Sequence, residues 1–313
     1  MARRVVDLPL DRVIDAYLLA CRSEGLSPST VRWYGQKLGG FRSHLGGSSG
    51  SVALSAVSAD AVRAFLIGLE DRGRTGFTRR GYVQVLKGFG TWLVEEGYVH
   101  ANPLRRLALP RVPKYLVKPL SEEEVAALLG ALNPRAPLGS RNLTILLLLL
   151  DTGMRLGELA GMTTGAAEEA VRDGIFRVIG KGARERYLPL GRASRDALRR
   201  YLHVHRPNAS TVSLFVGHDG RPLSAEGLRQ AVRRVARRAG VADVHPHRLR
   251  HTFAVSYIAN GGDAMTLQRI LGHSTLEMVR RYVALDSRDI MARHSQASPS
   301  DRFWVMRGRR RVA

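Results

Sequence analysis

Between residues 10 and 93 the apolar positions fall at helical spacing four times over. Leu10, Val13, Ile14, Tyr17, Leu18 and Cys21 recur in steps of three and four, and so do Val31, Tyr34, Leu38, Phe41 and Leu45. Steps of that size put side chains on one face of an α-helix. Val62, Phe65, Leu66 and Leu69 mark a third helix, and Tyr82, Leu86, Phe89 and Leu93 a fourth. Ser27–Pro28 is a favourable cap and first-turn pair for the second, and Ser58 can cap the third. The pattern predicts an all-α unit over residues 1–103 with polar, basic outer faces.

The periodicity then lapses. "NPLRRLALPRVPKYLVKPLSEEE" carries Pro103, Pro110, Pro113 and Pro119 among scattered cations, and residues 104–120 read as an interdomain linker. Ser121 and Glu124 form a capping-box pattern that opens the next helix. From there the pattern is mixed. "IFRVIG" (175–180) and "ERYLPL" (185–190) are short strand-like runs around "KGAR" and predict a β-hairpin. "LFVG" (214–217) is a further strand candidate. Helical spacing covers roughly 141–150, 155–162, 194–205, 224–239, 246–260, 264–272 and 275–285. The expected fold is therefore mainly α with a small sheet: a second domain over 121–295, then a basic tail over 296–313.

Hydrophobic residues make up 44% of the 313, enough for two ordinary cores. The longest apolar run, "LTILLLLL" (143–150), is too short to span a bilayer and reads as a buried helix. The start, "MARRVVDLPLDR", has no apolar stretch of signal-peptide length, and Cys21 is the single cysteine. These features lead us to expect a cytoplasmic protein without membrane attachment, disulfide or cysteine-based zinc site. The net charge of +22 changes the picture more. Such a field attracts polyanions, and nucleic acid is the commonest inside a cell. Only five of the 49 basic residues are lysine (Lys37, Lys87, Lys114, Lys118 and Lys181); the other 44 are arginine. Lysine can release its proton where arginine cannot, so a lysine retained in such a chain draws attention.

Candidate chemistry lies in four places. In "HPHRLRHTFA" (245–254), His247 and His251 share the i,i+4 spacing of a zinc motif, but the intervening Arg248 and Arg250 would repel a dication. His247 and Arg250 share a helix face instead: either a phosphate-reactive pair or part of a basic DNA-contacting helix. In "DTGMRLGELAGM" (151–162), Gly153 allows a tight turn and Arg155 opens a helix. Arg155 needs Glu158, a ligand anion or both as partner. Lys181 lies between Gly180 and Gly182 at the hairpin tip, able to contact phosphate or to deliver a proton. "LGHSTLEMVRRYVAL" (271–285) adds His273 and Tyr282. Two arginines can neutralise the charge that builds on non-bridging oxygens during attack at phosphorus. A phenol of ordinary pKa about 10 needs cationic neighbours or a base to become a nucleophile, and the departing alkoxide needs a proton.

The ordered tracts "TGMRLGEL", "GKGARERYLPL", "PHRLRHTFA" and "ILGHSTLEMVRRY" resemble the catalytic boxes of the tyrosine recombinases, or phage integrases, of the Xer-like kind. "GLSPSTVRWYGQKLGGF" is similar to that family's core-binding domain. The resemblance implies a SAM-like N-terminal helical bundle and an α+β catalytic domain closing as a C-shaped clamp on DNA. It implies that Tyr282 attacks the scissile phosphate to form a 3′-phosphotyrosyl link, and that Arg155 and Arg250 hold the non-bridging oxygens. Lys181 would protonate the leaving 5′-oxygen, His247 assist proton transfer at the tyrosine, and His273 hydrogen-bond the phosphate. Glu158 would orient the set. No metal, ATP or other cofactor is implied. The partner would be double-stranded DNA bearing a specific recombination site, bound by a dimer per site and a homotetramer overall, with a monomer in solution. Family members often carry a Trp-acid tract between the first arginine box and the hairpin; here the stretch is "GMTTGAAEEAVRDG". Part of residues 286–306 would dock on a neighbouring protomer. The Arg-rich stretch 226–240 places Arg229, Arg233 and Arg237 at helical spacing, to track phosphates or enter a groove. Two other functions share these features: a catalytically silent DNA-binding accessory protein, against which the intact residue set argues, and a type IB topoisomerase-like nicking-closing enzyme.

Overall fold

A computed structural model describes residues 8–46, 52–112, 118–179 and 185–272. The chain divides into two compact units, Met1–Tyr115 and Leu116–Ala313, each with its own hydrophobic core.

The first unit is built on helices α1 (Leu10–Ser23), α2 (Pro28–Gly46), α3 (Ala59–Asp71) and α4 (Gly76–Glu95). The apolar faces read from the sequence are the faces that pack. Val13, Leu38, Phe41, Val62 and Leu86 are all within 1% of full burial. Tyr17 stands among aromatics, edge-on to Phe89 at 5.3 Å and tilted against Trp92 at 5.2 Å between ring centroids. Hydroxyl caps start three of the helices, satisfying amide groups that the first turn leaves unpaired. Ser27 Oγ accepts from Thr30 N at 3.2 Å, Ser58 Oγ from Ala61 N at 3.1 Å, and Thr75 Oγ1 from Thr78 N at 3.3 Å.

This unit continues past residue 103. Asn102 lies against α4 at Gly90, where a Cβ would fall 2.4 Å from Asn102 Oδ1. That oxygen accepts from Leu104 N at 2.8 Å, and Lys87 Nζ donates to Leu107 O at 3.1 Å. Leu104 and Leu107 are buried in the first core. The opening part of the expected 104–120 linker is thus folded onto α4. Two leucines without a period anchor a stretch whose prolines read as free chain.

The second unit contains α5 (Glu122–Gly130), α6 (Pro137–Thr152), α7 (Leu156–Ala160), α8 (Thr164–Asp173), β1 (Ile175–Ile179), β2 (Glu185–Pro189), α9 (Arg192–Arg200), α10 (Ala225–Ala239), α11 (Pro246–Ala259) and α12 (Ala264–Leu271). The capping box opening α5 forms as expected: Glu124 N donates to Ser121 Oγ at 3.2 Å and Ser121 N to Glu124 Oε2 at 2.9 Å. Helix α6 holds the "LTILLLLL" run and packs against α9, α10 and α11. Ile145, Leu146, Leu148 and Leu149 are at most 1% exposed, as a helix apolar on several faces requires. Strands β1 and β2 pair antiparallel, from Ile175 opposite Pro189 to Ile179 opposite Glu185. Along β2 the side chains alternate, with Arg186 and Leu188 inward.

Three readings change. The Trp-less stretch after the first arginine box forms α8, capped by Thr163 and stopped by Gly174 at φ 73°. The run 214–217 makes one isolated bridge, Val216 with Pro222, and Ser213 just before it bridges Thr163. Helix α9 ends at Arg200 and continues as one wide π turn over Tyr201–His205. The second unit's first residues are tied to α11: Leu120 N donates to Thr252 Oγ1 at 2.9 Å, and Arg248 Nε to Lys118 O at 3.1 Å. The expected helix 275–285 and the tail lie outside the described residues. Among the described residues no helix is long and apolar enough to cross a membrane.

If Leu104 anchors the first core, Leu104→Ala lowers stability by about 3 kcal/mol, read as a lower urea midpoint for the full chain. A loss of the size of an ordinary surface substitution would mean that residues 102–107 are not packed.

Candidate active site

The site is assembled where α6 ends. Gly153 closes that helix in the left-handed conformation, φ 58°, which favours glycine. A Cβ there would also lie 2.4 Å from Phe253 and 2.9 Å from Leu271. The position therefore needs glycine both for its backbone and for the approach of α11 and α12. The chain turns through buried Met154 and delivers Arg155 to the start of α7.

Glu158 is the hub of the next layer. Its Oε2 accepts from Arg155 N at 2.7 Å and from Arg186 Nη2 at 2.6 Å, and its Oε1 from Arg155 Nη1 at 3.2 Å. Its side chain is 12% exposed, against 46% for Arg155 and 9% for Arg186. Burial pushes the Glu158 carboxyl up, but the bonds from Arg186 and the Arg155 amide outweigh it and hold the group below the usual carboxylate range. Arg186 Nε also donates to Ile270 O at 2.8 Å. The Arg155–Glu158 pair was expected from spacing; Arg186 was not. Its signal was present in the alternation of "ERYLPL", which sets Arg186 on the same inward face as Leu188.

Arg250, on α11, is 6% exposed. Its Nη1 donates to Gly153 O at 2.5 Å and its Nη2 to Leu271 O at 2.7 Å. One guanidinium thus joins the turn that carries Arg155 to the end of α12, two residues before His273. His247, on the exposed side of α11's first turn, has its imidazole pKa lowered, first by shielding from water and then by the Arg250 cation. It is therefore neutral at neutral pH and able to accept a proton. His245 serves as the α11 cap, its Nδ1 accepting from Arg248 N at 3.1 Å. Burial, then His247 and Arg248, depress its pKa. Arg248 itself reaches Glu124 Oε2 at 2.9 Å.

Arg155, Glu158, His247 and Arg250 are therefore linked through a few residues of one region. Lys181, His273 and Tyr282 lie outside the described residues. Of the basic set on α10, Arg233 and Arg237 are exposed, while Arg229 is paired with Glu226.

Residues 118–288 match the model of the phage integrase family. The chain is 31% identical over 263 residues to tyrosine recombinase XerD of Halalkalibacterium halodurans, spanning 82% of this chain and 87% of that protein. It is 32% identical over 278 residues to tyrosine recombinase XerC of Corynebacterium efficiens, spanning 88% and 87%. In fold it is similar to a lambda integrase tetramer bound to a Holliday junction, with a TM-score of 0.71 at 18% identity over 88% of this chain and 78% of that one. The chain belongs to the phage integrase family, that of the tyrosine recombinases, enzymes of DNA cleavage and rejoining.

The cap at His245 sets a pH dependence. Both His245 and His247 have folded pKa values below their ordinary 6.5. The fold holds them neutral while the unfolded chain takes up protons. Their contribution is complete above about pH 6.5 and declines as pH falls towards the folded values. His245→Asn keeps a cap that does not titrate, so denaturation midpoints should change little at about pH 8 and fall less steeply towards about pH 5. The same slope as wild type would remove His245 from this role.

Proposed function

We propose that this recombinase cleaves DNA at a specific site by attack of the Tyr282 oxygen on the scissile phosphorus. An O–P bond forms, the bond from phosphorus to the 5′-oxygen breaks, and a 3′-phosphotyrosyl link and a free 5′-hydroxyl result. Arg155 and Arg250 hold the non-bridging oxygens as charge builds there. His247 takes the phenol proton, Lys181 supplies one to the 5′-oxygen, and His273 hydrogen-bonds the phosphate. Glu158 orients Arg155. The 5′-hydroxyl of a second DNA then attacks the link and releases Tyr282. The bond energy is kept in the phosphotyrosine, so the cycle needs neither metal nor ATP.

The observation that carries the reading is the Arg250 clamp. Its bonds to Gly153 O and Leu271 O draw three tracts far apart in sequence to one place, and each carries a residue of the proposed set. A depressed His247 pKa suits a proton acceptor. The net charge of +22 suits a polyanion partner.

In this reading the helical unit, residues 1–103 with the packed stretch that follows, is a DNA-binding core-binding domain. Residues 121–295 are catalytic and 296–313 a tail. Arg229, Arg233 and Arg237 on α10 follow the phosphate backbone. The protein is a cytoplasmic monomer that pairs on each recombination site and joins two sites as a homotetramer. The lambda integrase tetramer on a Holliday junction is the precedent for that assembly.

A nicked duplex carrying the recombination site traps the intermediate. Wild type should give covalent protein–DNA product and Tyr282→Phe none; binding by wild type without covalent product would favour an accessory DNA-binding role. Lys181→Ala should cleave ordinary DNA about 100-fold more slowly. It should recover on a duplex with a 5′-bridging sulfur, which leaves without a proton. Failure to recover would take Lys181 out of the acid role.

A further inference from the structure

Arg186 is a buried cation that the proposed reaction does not use. It sits on β2, points inward, and divides its donors between Glu158 Oε2 at 2.6 Å and Ile270 O at 2.8 Å. Glu158 in turn grips Arg155 through both the amide and the guanidinium. The three side chains form a row that runs from the interior outward: Arg186 at 9% exposure, Glu158 at 12% and Arg155 at 46%.

Charge decides what this row can do. Glu158 carries one negative charge in a poorly hydrated place, where it demands a cation. With Arg186 present that demand is met from the interior. The Arg155 guanidinium then bonds Glu158 through one long contact of 3.2 Å and keeps its own charge for an anion. Without Arg186, Arg155 would be the nearest cation to Glu158 in this row. It would be drawn into a tighter pair and its charge cancelled.

We propose that Arg186 is a positioning residue for phosphate binding: by balancing Glu158 from within, it leaves the Arg155 guanidinium charged, forward and available to the scissile phosphate. The inference rests on Arg155 being a phosphate ligand, and the test separates the two. Apart from its bond to Ile270 O, Arg186 acts through Glu158 and Arg155, so its loss should matter most where a non-bridging oxygen carries charge. Replacing that oxygen by methyl gives a neutral methylphosphonate and removes the need for a guanidinium there.

The experiment uses the full chain and the nicked duplex carrying the site that wild type selects from random sequences. Its scissile linkage is either a phosphodiester or a methylphosphonate. Arg186→Met should form covalent product about 100-fold more slowly on the phosphodiester and within about tenfold of wild type on the methylphosphonate. Arg186→Lys keeps the interior charge and should retain most phosphodiester activity. Arg186→Met with Glu158→Gln removes both charges, frees Arg155 and should recover part of the loss; these two variants carry the test if Arg186→Met alone does not fold. Equal losses on both linkages, or Arg186→Lys as defective as Arg186→Met, overturn the proposal. Arg155→Ala is the control. Its recovery on the methylphosphonate without recovery of Arg186→Met removes Arg186 alone. A failure of Arg155→Ala to recover removes the phosphate role of Arg155, and the inference with it.

Discussion

The buried guanidinium of Arg250 is the constraint on which the second unit's architecture turns. A guanidinium offers five N–H donors and no acceptor, and at 6% exposure water cannot serve them all. The last carbonyls of a helix have the opposite need, since no intrahelical amide reaches them. Arg250 meets both needs at once, at Gly153 where α6 closes and at Leu271 where α12 ends. The two helix ends are thereby fixed relative to α11. Gly153 then sets where Arg155 emerges, and Arg186 grips the carbonyl next to Leu271 while holding Glu158. Rigid backbone and charged side chains are locked by the same contacts, which is what a site preorganised for an anion requires.

The arginine bias of the chain has a structural counterpart. Besides Arg186 and Arg250, Arg141 donates to Val216 O and Asn142 Oδ1, Arg195 to Val171 O and Arg172 O, Arg206 to Thr211 O, Ser213 O and Leu214 O, and Arg248 to Lys118 O and Ala242 O. These side chains staple loops and helix ends by bonding two or more acceptors in a plane. A lysine ammonium has the charge but not the fork. The bias therefore reflects how the second unit is closed as well as what it binds.

Much of this was legible in the sequence, for identifiable reasons. The four N-terminal helices show wide apolar faces and hydroxyl caps. The box opening α5 and the hairpin strands follow equally local rules. Helix α8 was not read because its described core contacts are the small residues Ala167 and Ala170, which hardly stand out from their neighbours; Thr163 and Gly174 were its only strong marks. The packing of residues 102–107 depends on Gly90 leaving room for Asn102, a tertiary fit with no period. Among the proposed site residues, Arg155, Glu158, His247 and Arg250 are singled out by spacing and by resemblance. Arg186 was missed because one arginine among 44 carries no compositional mark, and only the alternation of β2 distinguishes it.

The interior arginines divide the formal charge of +22 into two populations that respond differently to salt. Exposed residues such as Arg233 and Arg237 interact across water and are screened within a Debye length of about 8 Å at physiological ionic strength. Arg186 and Arg250, 9% and 6% exposed, hold their partners by short bonds that dissolved salt screens much less. Rising ionic strength accordingly weakens the hold on a polyanion long before it loosens these interior bonds, and the two properties can be titrated apart on one molecule.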